Sequence, residues 1–166
     1  MIIASALPVA GFVGCVLTAA ISDARTLRIP NILSASIALL FAAHAATDMT
    51  GGAILAALGL AAATFIFGFL AYYRGKLGGG DVKLLTVCMA WAGPDNAVEF
   101  LIVTGLAGGV LALALLSLPS LRSTGGLQRH WPKSATTSAA ATSAPMPYGV
   151  AIAAGAIVVA ARIMAA

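Results

Sequence analysis

The sequence predicts an all-α integral membrane protein, folded as a bundle of about six transmembrane helices. Of its 166 residues, 61% are hydrophobic and only 8% are charged, and the mean hydropathy is +1.03. Soluble domains carry roughly 25% charged residues, whereas long apolar stretches with few charges are typical of membrane spans. The length suits one domain covering residues 1–166.

The order of apolar stretches gives the helix count. A fourth stretch, Leu84–Ala92, is too short to cross a hydrocarbon core of roughly 30 Å, so we expect an irregular fourth helix preceded by a glycine-rich loop. Pro30 suits the first turn of the second helix, where its missing N–H costs little. No basic residue precedes the first stretch, which favours a membrane helix over a cleaved signal peptide. The other five predicted helices are Ile2–Ala20, Ile29–Ala46, Gly52–Tyr73, Ala97–Leu118 and Tyr148–Met164.

The basic residues predict the orientation in the membrane. If the first helix runs inward, eight of the nine lysines and arginines lie in cytoplasmic loops, and Arg162 alone lies outside. The positive-inside rule then places both termini outside and the segment Gly78–Asp81 on the cytoplasmic face. The basic residues thus report topology, and no nucleic-acid partner is predicted. A flexible Ser/Thr/Ala-rich loop is expected at about residues 120–147 on the same side.

The cysteines and histidines do not predict a metal site. Cys15 and Cys88 stand alone in apolar stretches, without CxxC spacing, as buried small hydrophobic residues do. A four-cysteine zinc module is therefore excluded. A metal site built from the acidic residues and a histidine would need the loop that carries His130 to fold inward. We predict neither a metal nor a cofactor.

Two of the five acidic residues lie where a catalytic role is possible. Asp23 and Asp81 are at the cytoplasmic ends of helices on the same side of the membrane, so packing can bring them together. Structural roles remain open for both, because Asp81 could be a helix N-cap and Asp23 could pair with Arg25 or Arg28. Turns and helix caps explain the other three acids, which are Asp48, Asp95 and Glu99.

The glycines before Asp81 favour catalysis over a cap. Non-helical backbone at membrane depth survives only where it is buried in protein or lines a watery cavity, and an extended peptide can approach glycine backbone closely. When two carboxyl groups share such a cavity, one keeps its proton while the other is ionised. The ionised group can activate a water, and the protonated group can donate to the peptide carbonyl and then to the leaving amine. This is aspartic proteolysis, although the sequence does not say which aspartate is the acid.

Three motifs resemble those of the type IV prepilin peptidases, which are GxGD intramembrane aspartyl proteases. They are SDARTLRIPN (Ser22–Asn31), GGGDVKLL (Gly78–Leu85) and MPYGVAIAAG (Met146–Gly155). The small size resembles the tight-adherence (Flp) pilus branch. By this resemblance Asp23 and Asp81 match the two catalytic aspartates. The resemblance also suggests supporting or substrate-binding roles for Gly78, Gly79, Gly80, Lys83, Arg28, Pro30 and Asn31.

The resemblance implies a multi-pass aspartic endopeptidase of the bacterial inner membrane that removes leaders from Flp-type prepilins or pseudopilins at the cytoplasmic face. Larger members carry an additional cytoplasmic domain and N-methylate the product, and we expect cleavage without N-methylation here. The implied partners are prepilin precursors, the pilus assembly machinery and membrane lipids. Lys83 is expected to contact either lipid phosphates or the acidic residue that prepilins carry shortly after the cut.

Two other functions stay open at this point. A broken helix with glycines and an intramembrane acid is also typical of small transporters and channels. A non-catalytic scaffold subunit of a pilus or secretion machine is the second alternative.

Overall fold

All the residues that can be described in the computed structural model, 2–117 and 146–165, belong to helices or to the short turns between them. The predicted loop at about 120–147 lies outside the described residues, except for its last two positions. The predicted all-α class is confirmed for the described part of the chain. The helices are α1 (Ile2–Thr26), α2 (Asn31–Asp48), α3 (Gly51–Tyr73), α4 (Gly79–Ser117) and α5 (Tyr148–Ala165).

The predicted count of six membrane spans is not confirmed. Among the described residues, four helices are long and apolar enough to cross a membrane: α1 from Leu7 onward, α3, α4 and α5. The helix α2 has 18 residues but is not one of the four, because Asn31, His44 and Asp48 lower its mean hydropathy. Large apolar side chains point outward from α3, including Phe67, which is 73% exposed. A surface of this kind suits contact with lipid.

The helix α4 is broken at Gly93, where the backbone has φ 58° and ψ −173° and the next residue is a proline. One cavity is lined by Asp81 and Leu85 from before the break and by Gly108 and Ala112 from after it. A continuous helix would separate Asp81 from Ala112 by about 46 Å. The chain therefore reverses direction at Gly93, and α4 consists of two antiparallel arms. The two arms contain the stretch predicted as the fourth helix and, up to Ser117, the stretch predicted as the fifth.

The first arm of α4 begins earlier than the sequence predicts. It starts at Gly79, not at Leu84, so Asp81 lies inside the first helical turn instead of in a loop before the helix. The glycines were expected to keep this segment irregular. Their low helix propensity matters less in a first turn, because the N–H groups there have no partner within the helix in any case.

A cluster around Trp91 joins the first arm of α4 to α1 and α2. The indole ring stacks on Phe12 with centroids 4.5 Å apart and on His44 with centroids 5.1 Å apart. Its Nε1–H donates a 3.1 Å hydrogen bond to the carbonyl oxygen of Ile37. Aromatic stacking and a satisfied indole N–H both stabilise a buried tryptophan. This cluster holds together the helices that carry Asp23 and Asp81.

The second arm of α4 packs closely on α5. Gly155 is pressed against Thr104 and Phe100, and a Cβ atom added to it would lie 2.9 Å from the Phe100 carbonyl oxygen. Small residues at such positions let membrane helices approach each other. Farther along α5, Arg162 donates two hydrogen bonds of 3.0 Å to the Glu99 carboxylate.

Candidate active site

Asp23 lies near the end of α1, four residues before a sharp turn. The N–H of Leu27 donates to the carbonyl oxygen of Asp23 at 2.8 Å, and Leu27 has φ 53°. A left-handed residue of this kind ends many helices, but leucine in place of glycine costs about 1–2 kcal/mol. The hydroxyl of Ser22 holds the turn by donating to the carbonyl oxygen of Arg28 at 2.8 Å. The chain therefore folds back across the end of α1 beside Asp23.

Asp81 occupies the third position of α4 and caps its own helix. Its Oδ2 accepts a 3.1 Å hydrogen bond from the N–H of Gly78, and the carbonyl of Gly78 accepts the first helical bond, from Val82. A carboxylate that reaches back from the third position is one half of a capping box. Asp81 is therefore not the N-cap residue itself, which was one of the structural roles left open by the sequence.

Both aspartates line a single cavity of about 270 Å³. Asp23 is 4% exposed and Asp81 is 9% exposed, and they are the only buried members of the chain's five acidic residues. The cavity brings together the turn after α1 and the start of α4. The residues around the two aspartates are Leu27, Arg28, Ile29, Gly78, Gly79 and Gly80.

The three glycines of the predicted motif are not equivalent. A Cβ atom on Gly78 would lie 2.7 Å from Oδ2 of Asp81, where it would displace the carboxylate. A Cβ atom on Gly80 would lie 3.1 Å from Cβ of Ile29, so this glycine lets α4 approach the turn after α1. Gly79 would meet only the ring of Tyr72, at an ordinary 3.6 Å. All three glycines line the cavity, but only the first and third leave no room for a side chain.

The other predicted site residues lie on the turn after α1, at the start of α2 and on α4. Arg28 lines the cavity. Pro30 precedes α2 with φ −61° and ψ 132° and is not part of the cavity wall. Lys83 donates a 3.0 Å hydrogen bond from Nζ to Oδ1 of Asn31, which links α4 to the first residue of α2.

The salt bridge that offered a structural role for Asp23 does not form. Within residues 2–117 and 146–165, no ion pair joins Asp23 to Arg25 or Arg28. In the same residues, no three His, Cys, Asp or Glu side chains come together as metal ligands would.

One residue of the site was not predicted from the sequence. The N–H of Gly149 donates a 2.7 Å hydrogen bond to Oδ2 of Asp23, across 126 positions. Gly149 lies within the third motif, Met146–Gly155, to which no site role was given. The sequence does contain one indication of this contact. A helix that starts directly after Pro147 has first-turn N–H groups that need partners outside the helix.

The arrangement can carry out acid–base chemistry on a peptide. It holds two buried carboxyl groups in one cavity, with bare glycine backbone beside them. Such a pair can hold one proton between two groups, so that one carboxyl accepts a proton while the other donates one.

Comparison with known protein families identifies the family of this chain. The model of the type IV leader peptidase family matches residues 10–113. The match covers more than half of the chain and includes Asp23, Asp81 and the three glycines before Asp81, Gly78, Gly79 and Gly80. No curated protein and no solved structure matches the chain. The protein belongs to the type IV leader peptidase family.

Proposed function

We propose that this protein is an intramembrane aspartic endopeptidase in which Asp23 and Asp81 are the catalytic pair. One observation carries the proposal: the two acidic side chains that are buried in the described part of the chain line the same cavity. Membership of the leader peptidase family supports the reaction class. The proposed reaction is peptide hydrolysis alone, without N-methylation.

The proposed mechanism uses a water molecule and no covalent intermediate. The ionised carboxyl of the pair takes a proton from a water that attacks the scissile carbonyl carbon. The protonated carboxyl donates to the carbonyl oxygen and then to the leaving amine. The pair acts as one titrating unit, so the mechanism does not depend on which aspartate starts as the acid.

The proposed substrates are Flp-type prepilins or pseudopilins, cut at the cytoplasmic face of the bacterial inner membrane. Both aspartates lie at helix ends next to the basic residues Arg25, Arg28 and Lys83. The positive-inside rule assigns such residues to the cytoplasmic side. In this arrangement both termini lie outside, and the assembled pilus machinery receives the processed pilin.

The hypothesis is tested by co-expression with a candidate prepilin and detection of the shorter product on a gel or by mass. The informative variants are Asp23→Asn and Asp81→Asn. Asparagine keeps an oxygen that can accept the hydrogen bond from Gly149 or Gly78, so both variants should insert and fold. We expect each single variant to leave the precursor uncut.

The double variant and a remote aspartate provide the controls. Asp23→Asn combined with Asp81→Asn should be no worse than either single change, because groups that act as a unit are strongly non-additive. Asp95→Asn changes an exposed residue outside the cavity and should cleave at the parental rate. Cleavage at the parental rate by folded Asp81→Asn would refute the proposed catalytic pair.

A further inference from the structure

We propose that Gly149, at the start of α5, is a positioning residue that fixes the carboxylate of Asp23 for catalysis. This inference rests on the proposed function. It adds a third element to the site, since the two aspartates lie on α1 and α4. It also extends the site beyond residues 10–113, which the family model matches.

The first argument is the hydrogen bond itself. The N–H of Gly149 is in the first turn of α5, where it has no helical acceptor, and it donates to Oδ2 of Asp23 at 2.7 Å. Both residues are buried. A hydrogen bond to a carboxylate is roughly twice as strong as one between neutral groups. The positive end of the α5 dipole also faces the Asp23 carboxylate and favours its negative charge. The bond therefore selects one position for the carboxylate.

The second argument is the lack of space at Gly149. A Cβ atom added there would lie 2.9 Å from both Cβ and Oδ2 of Asp23, and 3.2 Å from Cγ. Aspartate is short and is buried at this site, so its carboxylate cannot swing clear as the end of a long exposed side chain could. Any side chain at position 149 must displace either Asp23 or the start of α5.

The third argument is that residues next to Gly149 line a cavity together with the other aspartate. Met146 and Tyr148 line a second cavity of about 330 Å³, and Asp81 forms part of its wall. The start of α5 thus contacts Asp23 through Gly149 and lines a cavity with Asp81 through its neighbours. A displacement of this segment would alter the surroundings of both carboxyl groups.

The test separates positioning from packing by using two glycines of the same helix. Gly149→Ala places a methyl group against Asp23, whereas Gly155→Ala places one against Phe100 and Thr104, which do not line the cavity shared by the two aspartates. Purified protein is assayed on a prepilin peptide, and kcat and KM are calculated per folded molecule. We expect Gly149→Ala to lower kcat about tenfold or more with KM within about twofold of the parental value. Gly155→Ala should lower thermal stability and leave kcat of the folded fraction unchanged.

A second variant removes the donor without adding any atom. Glycolic acid introduced at position 149 replaces the amide N–H by an ester oxygen, and the side chain remains a hydrogen atom. The same loss of kcat is expected, and this variant decides the question if Gly149→Ala does not fold. Parental kcat in the ester variant would overturn the inference, as would equal kcat for the two alanine variants.

The outcomes also distinguish this inference from the proposed function. If Asp23→Asn cleaves as fast as the parent, the catalytic pair is wrong and the inference fails with it. If Asp23→Asn is inactive while the ester variant is fully active, only the positioning role of Gly149 is wrong.

Discussion

Lys83 and Asn31 join α4, which carries Asp81, to the start of α2, just after the turn that follows Asp23. The lysine Nζ lies 3.0 Å from Oδ1 of Asn31, across 52 positions of the chain. Close by, Gly80 approaches Ile29 so tightly that a Cβ atom would lie 3.1 Å from Cβ of the isoleucine. These two contacts hold the start of α4 against the turn after α1, and so set the spacing across the cavity.

The first prediction concerns this pair. Lys83→Met and Asn31→Ala should each lower the cleavage rate several-fold, because the start of α4 loses a contact that locates Asp81. The hydrogen bond is exposed, so each change should cost only about 1 kcal/mol of unfolding free energy. Cleavage rates and thermal melts of the purified variants measure the two effects.

A double-mutant cycle distinguishes this role of Lys83 from the two expected from the sequence. If the pair acts together, the double variant should cleave about as slowly as either single one. Asn31→Asp keeps the acceptor and should stay close to the parental rate. Additive losses would mean that Lys83 acts separately, on lipid phosphate or on an acidic residue of the substrate.

The second prediction ranks the glycines before Asp81. Gly78→Ala should abolish most cleavage, because the new methyl group would occupy space 2.7 Å from the Asp81 carboxylate oxygen. Gly79→Ala is the matched control, since its methyl group meets only Tyr72 at 3.6 Å. Alanine also favours the helix at this position. Equal activity of the two variants in the prepilin assay would contradict the geometry of the cavity.

The third prediction separates stability from activity. Trp91→Phe removes the hydrogen bond to the Ile37 carbonyl and should lower the free energy of unfolding by about 1 kcal/mol. Cleavage per folded molecule should stay unchanged, because Trp91 does not line the cavity. Phe67→Leu, at an exposed position, is a control expected to change stability by less than about 0.5 kcal/mol. Thermal unfolding in detergent measures both.

The fourth prediction is the orientation in the membrane. Reporter fusions after Arg74 and Gln128 should show cytoplasmic activity, and a fusion after Asp95 should show external activity. The break at Gly93 supports this pattern, since the chain reverses there and the two arms of α4 can end on the same side. The inverted pattern would place the aspartates on the wrong side for leader cleavage in the cytoplasm.

Several features of this protein follow from the sequence alone. The membrane setting follows from composition, because so few charged residues cannot cover a soluble surface. The prediction that Asp23 and Asp81 are the candidate catalytic residues among five acids rests on their position at helix ends next to basic residues and glycines. The family follows from short motifs, and the match to residues 10–113 agrees with it.

The tertiary structure decided what depends on residues distant in the chain. From hydropathy alone, Leu84–Ala92 is predicted as a separate short helix. The helix in fact begins at Gly79, and its third residue, Asp81, caps it by accepting from the N–H of Gly78. Local composition does not show this start. The left-handed turn at Leu27 is not predictable from the sequence, because its residue is leucine and not glycine. The contact between Gly149 and Asp23 spans 126 positions. It exists only because α5 packs against α1, and packing between helices is a property of the folded bundle that no local segment encodes.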